Sequence, residues 1–467
     1  MINGREYIRR LRRQYQRLHP TPAWAAVPIA NNGLTRRQHS GASQSPGRSD
    51  SDISGASTDD ETISPQPPTQ ALSELLRTAG SLTRPAGSSD RQSSTQRSKL
   101  RPDVLDIQRS KDIVSKGPSS VDCLHFHPYY PLILSSGPSS TISVHHISPH
   151  PPNPNPLLTS LHIKNNPLHS TVFLTQATDS SETTICLSSR RRYIHTWSLT
   201  SGRITKIGRP FTSTPHLRLT QRSTESLLPS PCGRYLGLIG SSRKGGGFIN
   251  VFSSNTHQWL CACRVDSRGG IADFAWWRDG EGFSAVGKNG ECSEYDIREK
   301  TVVGRWIDEG AVGTTVISLG GRTRNEDHRL GGNRYVAVGS SSGIVNIYDR
   351  KDWSTPQSET QQHSIPARPS PLHTFKHLTT PTSILSFSPD GQVLALASRW
   401  KRDALRLVHL PSCTVYRNWP TEKTPLGRIS SLAWSAGAGT GPDGEGRLLW
   451  LAVGNEQGAV RLWEIRA

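Results

Sequence analysis

The sequence predicts an all-β fold, a single seven-bladed β-propeller of WD-repeat type, preceded by a basic helix and a disordered N-terminal region. Three observations carry this. First, one hairpin pattern recurs. Residues 448–465 read Leu-Leu-Trp-Leu-Ala-Val-Gly-Asn-Glu-Gln-Gly-Ala-Val-Arg-Leu-Trp-Glu-Ile. Two short apolar strands flank a glycine-bearing turn, and the second ends in an aromatic and an acid. Residues 335–349 and 283–296 repeat the pattern and close on Tyr348-Asp349 and Tyr295-Asp296. One such unit cannot bury its own apolar faces, so several must stack around an axis. Second, the copies are regularly spaced. His145, Trp197, Phe252, Tyr295, Tyr348, Val408 and Trp463 take the same terminal position of a third strand, roughly 43 to 60 residues apart, at or above the period of a WD blade. Third, the sequence stops at Ala467, just past the third strand of the last copy. Ring closure removes sheet edges, so the outer strand of that blade is expected from upstream of the first. Residues 103–114, around Val104-Leu-Asp-Ile-Gln, are the strand-like segment placed to supply it.

The elements follow in order. Residues 121–128, 271–280, 383–391 and 429–435 read as upstream strands ending in turns. Ser388-Pro-Asp-Gly391 is turn chemistry, because proline presets φ and glycine accepts positive φ. The second blade is the weakest match, since Trp197 is followed by Ser198 rather than an acid. The excess spacing falls in polar loops at 149–156, 320–332, 354–371 and 436–446. The expected organisation is a basic helix with a Pro/Trp segment over 1–29, a Ser/Pro/Gly-rich disordered linker over 30–98, and the propeller over 99–467. The linker is too poor in apolar residues to offset the entropy of ordering.

The 467 residues carry a formal charge of +18, which points to a polyanionic partner; solubility alone is the plainer explanation. No window is long and apolar enough to span a bilayer, and the charged start lacks the apolar core of a signal peptide. Seven cysteines, an odd number, scatter over several blades. Only Cys261 and Cys263 lie close, so free thiols are expected rather than a disulfide framework or a metal site.

The segment outside the repeats with the clearest character is 6–25. Ile8, Leu11, Tyr15 and Leu18 fall at helical spacing, and Arg9, Arg10, Arg12, Arg13 and Arg17 cover the remaining arc. Pro20 ends the helix, and the chain then runs extended to Trp24. A helix this short is marginal alone in water. Its stripe is therefore expected on a partner, with the arginines toward phosphate or an acidic surface. A localisation signal and a lipid surface are the alternatives, the latter disfavoured by a narrow stripe without Phe. Arg190, Arg191 and Arg192, in a blade-two hairpin turn, form the best basic patch on the ring; a solvated turn is the plain alternative.

Catalytic patterns do not hold. Residues 282–289 resemble a P-loop, but Asn289 stands where a Mg²⁺-holding hydroxyl belongs and no helix follows. Residues 339–343 fit a nucleophile elbow by letter, yet Ser341 sits between strands. His145-His146 has no third ligand in view. No enzymatic activity, cofactor, metal or small-molecule substrate is expected.

With these residues in hand, a resemblance emerges. The run Arg406-Leu-Val-His-Leu-Pro-Ser-Cys-Thr-Val415, with residues 345–348 and 451–458, is similar to the last three blades of the U three small nucleolar RNA-associated protein eighteen family. Residues 305–310 resemble the linker before those blades, 105–112 its entry segment, and 7–15 with Pro22-Ala-Trp24 its pre-propeller motif. The resemblance is strong over blades four to seven and weak from about 150 to 245. It implies a nucleolar scaffold of the UtpB subcomplex of the small-subunit processome. Its partners would be the other WD-repeat proteins of UtpB, the U three small nucleolar ribonucleoprotein and pre-rRNA, and its role pre-rRNA processing and 18S rRNA maturation. Family members carry a longer N-terminal extension with a Leu-Phe-x-Val-Asp-like element that recruits the exosome's RNA helicase. No such element is found in these residues, and exosome recruitment is not among the roles the resemblance implies for them. The alternatives are a generic WD-repeat adaptor reading acidic peptides, such as a ubiquitin-ligase receptor, and a propeller enzyme.

Overall fold

The computed structural model describes residues 100–466 except 114–116, 149–152, 175–182, 209–220, 222, 241–246, 266, 268, 311, 323–329, 355–364 and 437–447. Near the start it also describes Glu6, Arg10, Leu11, Arg13 and Gln14, which are helical and exposed. The chain divides into two units, Met1–Thr95 and Gln96–Ala467.

The described part of the second unit is a seven-bladed β-propeller. Its strands form seven four-stranded antiparallel sheets. Six sheets use consecutive strands, within residues 123–162, 168–207, 227–265, 271–307, 314–375 and 384–415. The seventh combines Ile429–Ala436, Leu448–Asn455 and Val460–Arg466 with Asp106–Arg109 as its outer strand. Ile107 stands opposite Ile465 and Arg109 opposite Trp463. Beyond that strand, Ser110 N donates to Leu462 O at 3.0 Å, and Ile113 bridges Val460. The two ends of the ring are thus joined by backbone hydrogen bonds in one sheet.

Burial explains why the repeat takes this form. The second strands lie between neighbouring blades and are buried on both faces, as in Gly282–Gly287, Tyr335–Ser340 and Val393–Ala397. They accordingly read as short apolar runs. Fourth strands face solvent on one side and alternate, as in Trp259–Val265. All seven aligned third-strand positions fall in third strands and are buried, from Tyr348 at 0% to Tyr295 at 8% exposed. Of residues 305–310, only 308–310 lie in the connector before blade five. Arg305, Trp306 and Ile307 end the fourth strand of blade four, Thr301–Ile307, where Trp306 is turned inward and 1% exposed.

Seven apolar clusters fill the ring, one between each pair of neighbouring blades. Blades one and two share Ile142, Val144, Phe173 and Trp197. Blades seven and one share Trp450, Leu462, Val121 and Ile133, so the cores run round without a gap. Two glycines are required by the packing. Gly391 closes the Ser-Pro-Asp-Gly turn at φ 75°. A Cβ on Gly282 would meet the Trp277 ring at 2.2 Å, so only glycine admits that indole.

Candidate nucleic-acid and partner-binding surface

The turn between second and third strands in each blade lies on one face of the ring, beside the connectors that lead from blade to blade. Backbone hydrogen bonds tie the two sets together. Ser341 N donates to Gly313 O, Lys288 N to Gly270 O, Asp403 N to Gly427 O and Glu456 N to Arg428 O. The turns are therefore held against the ring, and the side chains at their tips form the surface that this face presents.

Arg190, Arg191 and Arg192 lie on this face, in the blade-two turn between Thr184–Ser189 and Ile194–Ser198, and all three are exposed. Arg190 Nε pairs with Glu225 Oε1 at 2.7 Å across the connector into blade three. The Arg191 backbone is fixed, with its N–H on Ser189 Oγ at 3.3 Å and its carbonyl accepting from Thr224 Oγ1 at 3.2 Å. Arg191 and Arg192 have no ion pair among the described residues. The turn thus presents two uncompensated guanidinium groups on an ordered backbone, a geometry suited to phosphate or carboxylate.

The N-terminal residues are only partly described. Arg10, Leu11 and Arg13 are helical and exposed, Leu11 at 48%. Ile8, Arg9, Arg12, Tyr15, Arg17, Leu18 and Trp24 lie outside the described residues.

The rejected motifs occupy structural positions. The P-loop-like residues form the strand Gly282–Gly287 and the turn after it, and the next element is a strand, Glu291–Asp296. Ser341 Oγ donates to the Val312 carbonyl at 3.0 Å in a strand-to-strand turn. His145 is buried in the third strand of blade one, and burial lowers its pKa to about 4. Asp273, on the first strand of blade four, accepts from Ile317 N at 3.3 Å, and burial pushes its carboxyl up to about 7. Among the described residues no group of three or more metal-ligating side chains comes together, and the seven cysteines are free thiols. No helix among the described residues is long and apolar enough to cross a membrane.

The motif reading passed over one segment of this face. Arg399-Trp400-Lys401-Arg402 forms the blade-six turn, and Trp400 is 66% exposed. The available signal was an aromatic enclosed by cations in a turn, whereas aromatics at the ends of third strands mark blade cores.

No family model matches the chain. It is similar to U3 small nucleolar RNA-associated protein 18 of Saccharomyces cerevisiae, at 34% identity over 491 residues covering 99% of this chain and 74% of the relative. A probable U3 small nucleolar RNA-associated protein 18 of Schizosaccharomyces pombe is 32% identical, covering 100% of this chain and 74% of the relative. The Homo sapiens homolog is 23% identical, covering 74% of this chain and 53% of the relative.

Proposed function

The chain belongs to the U3 small nucleolar RNA-associated protein 18 family, and from that premise we propose that it is a scaffold of the small-subunit processome acting in pre-rRNA processing and 18S rRNA maturation. The observation that carries this is similarity, over nearly all of this chain and 74% of each relative, to two proteins whose names specify association with U3 small nucleolar RNA. The formal charge of +18 is in keeping with an RNA-rich particle. We propose a nucleolar location and, as partners, the WD-repeat proteins of UtpB, the U3 ribonucleoprotein and pre-rRNA. The propeller acts as a binding platform rather than a catalyst. The arginine helix contributes Arg9, Arg10, Arg12, Arg13 and Arg17 to phosphate or an acidic partner surface. Ile8, Leu11, Tyr15 and Leu18 dock on protein, and Arg190–Arg192 add a second basic contact.

The test is recovery of RNA with the tagged chain from nuclear extract. U3 RNA and uncleaved ribosomal precursor should co-purify in large particles, and nuclease should release the chain from them. Recovery of U3 RNA no greater than with an unrelated propeller would overturn the proposal. Enrichment of ubiquitin-ligase subunits instead would favour the adaptor reading.

A further inference from the structure

We propose that the blade-six turn, Arg399-Trp400-Lys401-Arg402, is a base-stacking contact for single-stranded RNA, a site that deepens the scaffold reading and draws on it for the choice of nucleic acid. Three observations converge on it.

The first is the exposed indole. Trp400 is 66% exposed, whereas Trp197, Trp277, Trp306, Trp450 and Trp463 of this ring are all buried below a tenth. A bare indole face offers a stacking platform, and every base has a π-face to lay on it.

The second is that the turn is ordered by its own hydrogen bonds. Arg399 N donates to Ser383 Oγ at 2.9 Å. The Asp403 carboxylate accepts from Leu426 N and Gly427 N, each at 2.7 Å, and Asp403 N donates to Gly427 O at 2.8 Å. Asp403 itself holds φ 57°, a conformation that such anchoring sustains. Trp400 is thus raised into solvent by a fixed frame, and a stacked base would not have to order the loop.

The third is charge. Lys401 and Arg402 are exposed and have no ion pair among the described residues. Lys423, on the adjoining connector, is exposed as well. Glu422 stands exposed beside Lys423 on that connector and offsets it, while the carboxylates near Arg399 are already engaged. Glu456 lies between Arg399 and Arg428, at 3.8 and 3.7 Å, and Asp122 between Arg399 and His169, at 3.9 and 3.7 Å. The Asp403 carboxylate is turned onto backbone N–H groups. At the tip, the uncompensated charge beside Trp400 is positive. An aromatic platform with cations on its flank fits a strand of bases and phosphates. An acidic peptide would use the cations and leave the indole idle.

The test titrates the purified full-length chain into a fluorescein-labelled single-stranded adenylate dodecamer, followed by polarisation at several salt concentrations. Trp400→Ala should weaken binding about tenfold or more, from the stacking of one base, with the salt slope unchanged. Trp400→Phe should keep most of the affinity. Lys401→Gln with Arg402→Gln should lower the salt slope by about 1 to 2. Thermal midpoints of all variants should match the native chain, because each side chain is exposed. Equal affinity of Trp400→Ala and native chain overturns the proposal. So does Trp400-dependent capture of a glutamate-rich peptide without Trp400-dependent RNA binding, which would assign the turn to a protein partner. U3 RNA recovery separates this inference from the scaffold reading. Trp400-independent oligomer binding with U3 RNA still recovered by the native chain removes only the blade-six site.

Discussion

Blades four and five are tied by a buried ion pair, and breaking it tests the packing more severely than any surface change. Neither Arg350 nor Glu294 has exposed side-chain area. Glu294 belongs to the third strand of blade four, and Arg350 stands just past the third strand of blade five. Arg350 Nη2 donates to Glu294 Oε1 and, at 2.7 Å, to Ser284 Oγ. Trp306 Nε1 donates to the same carboxylate at 3.1 Å, Trp277 Nε1 at 3.0 Å and Ser284 Oγ at 2.5 Å. The carboxylate is thus fully engaged, with a single cation to balance it. Arg350→Met keeps the long side chain and leaves a buried carboxylate without that cation; the expected cost is about 3–5 kcal/mol. Glu294→Gln keeps an acceptor for only one of the two indoles, which donate to different oxygens, and leaves the guanidinium unpaired, at a cost in the same range. The double variant buries no unpaired charge. It should therefore be more stable than the sum of the singles predicts, by about 2–3 kcal/mol. Urea unfolding followed by circular dichroism and tryptophan emission measures this. Strict additivity of the two singles, or a loss below about 1 kcal/mol for Arg350→Met, would refute the account of a coupled network.

Three further outcomes are expected. Deleting residues 100–113 removes the outer strand of the seventh blade and exposes the edge of Val460–Arg466; the melting temperature should fall sharply, whereas deleting 30–98 should leave it unchanged, and equal melting curves would sink ring closure by this segment. Trp463→Ala should cost about 3–5 kcal/mol in a denaturant titration, because the ring is 2% exposed and meets Trp419 edge-to-face at 5.4 Å; a loss under about 1 kcal/mol would show the side chain unburied. Burial holds His145 at a pKa of about 4, below its ordinary ~6.5, so the unfolded chain protonates first as pH falls and stability is lost between about pH 6.5 and 4. His145→Phe should remove that part of the acid slope, and an unchanged slope would contradict it.

How much of this was legible in the sequence follows from how many faces each strand buries. A second or third strand lies between two blades, so neighbours constrain both of its faces. Its apolar run and terminal aromatic then recur, which is why Trp197, Tyr295, Tyr348 and Trp463 align without a structure. A fourth strand buries one face. Thr301–Ile307 alternates only weakly, and its last three residues pass for linker although Trp306 is part of the core. The Arg350–Glu294 tie spans 56 residues, and no local period encodes a pairing between blades. The turns are different again. Their backbones are fixed by hydrogen bonds to the connectors, as Asp403 N is to Gly427 O, while the core leaves side chains at their tips, such as Trp400, unconstrained. A cation run at such a tip, like Arg190–Arg192, can be read from the sequence as a patch. Whether an aromatic there is core or platform depends on its exposure, and Trp400 and Trp463 are letters of the same alphabet until burial separates them. The repeat that makes this fold readable is therefore the reason its binding face is not: periodicity encodes the interfaces between blades, and function is left to the residues that periodicity does not need.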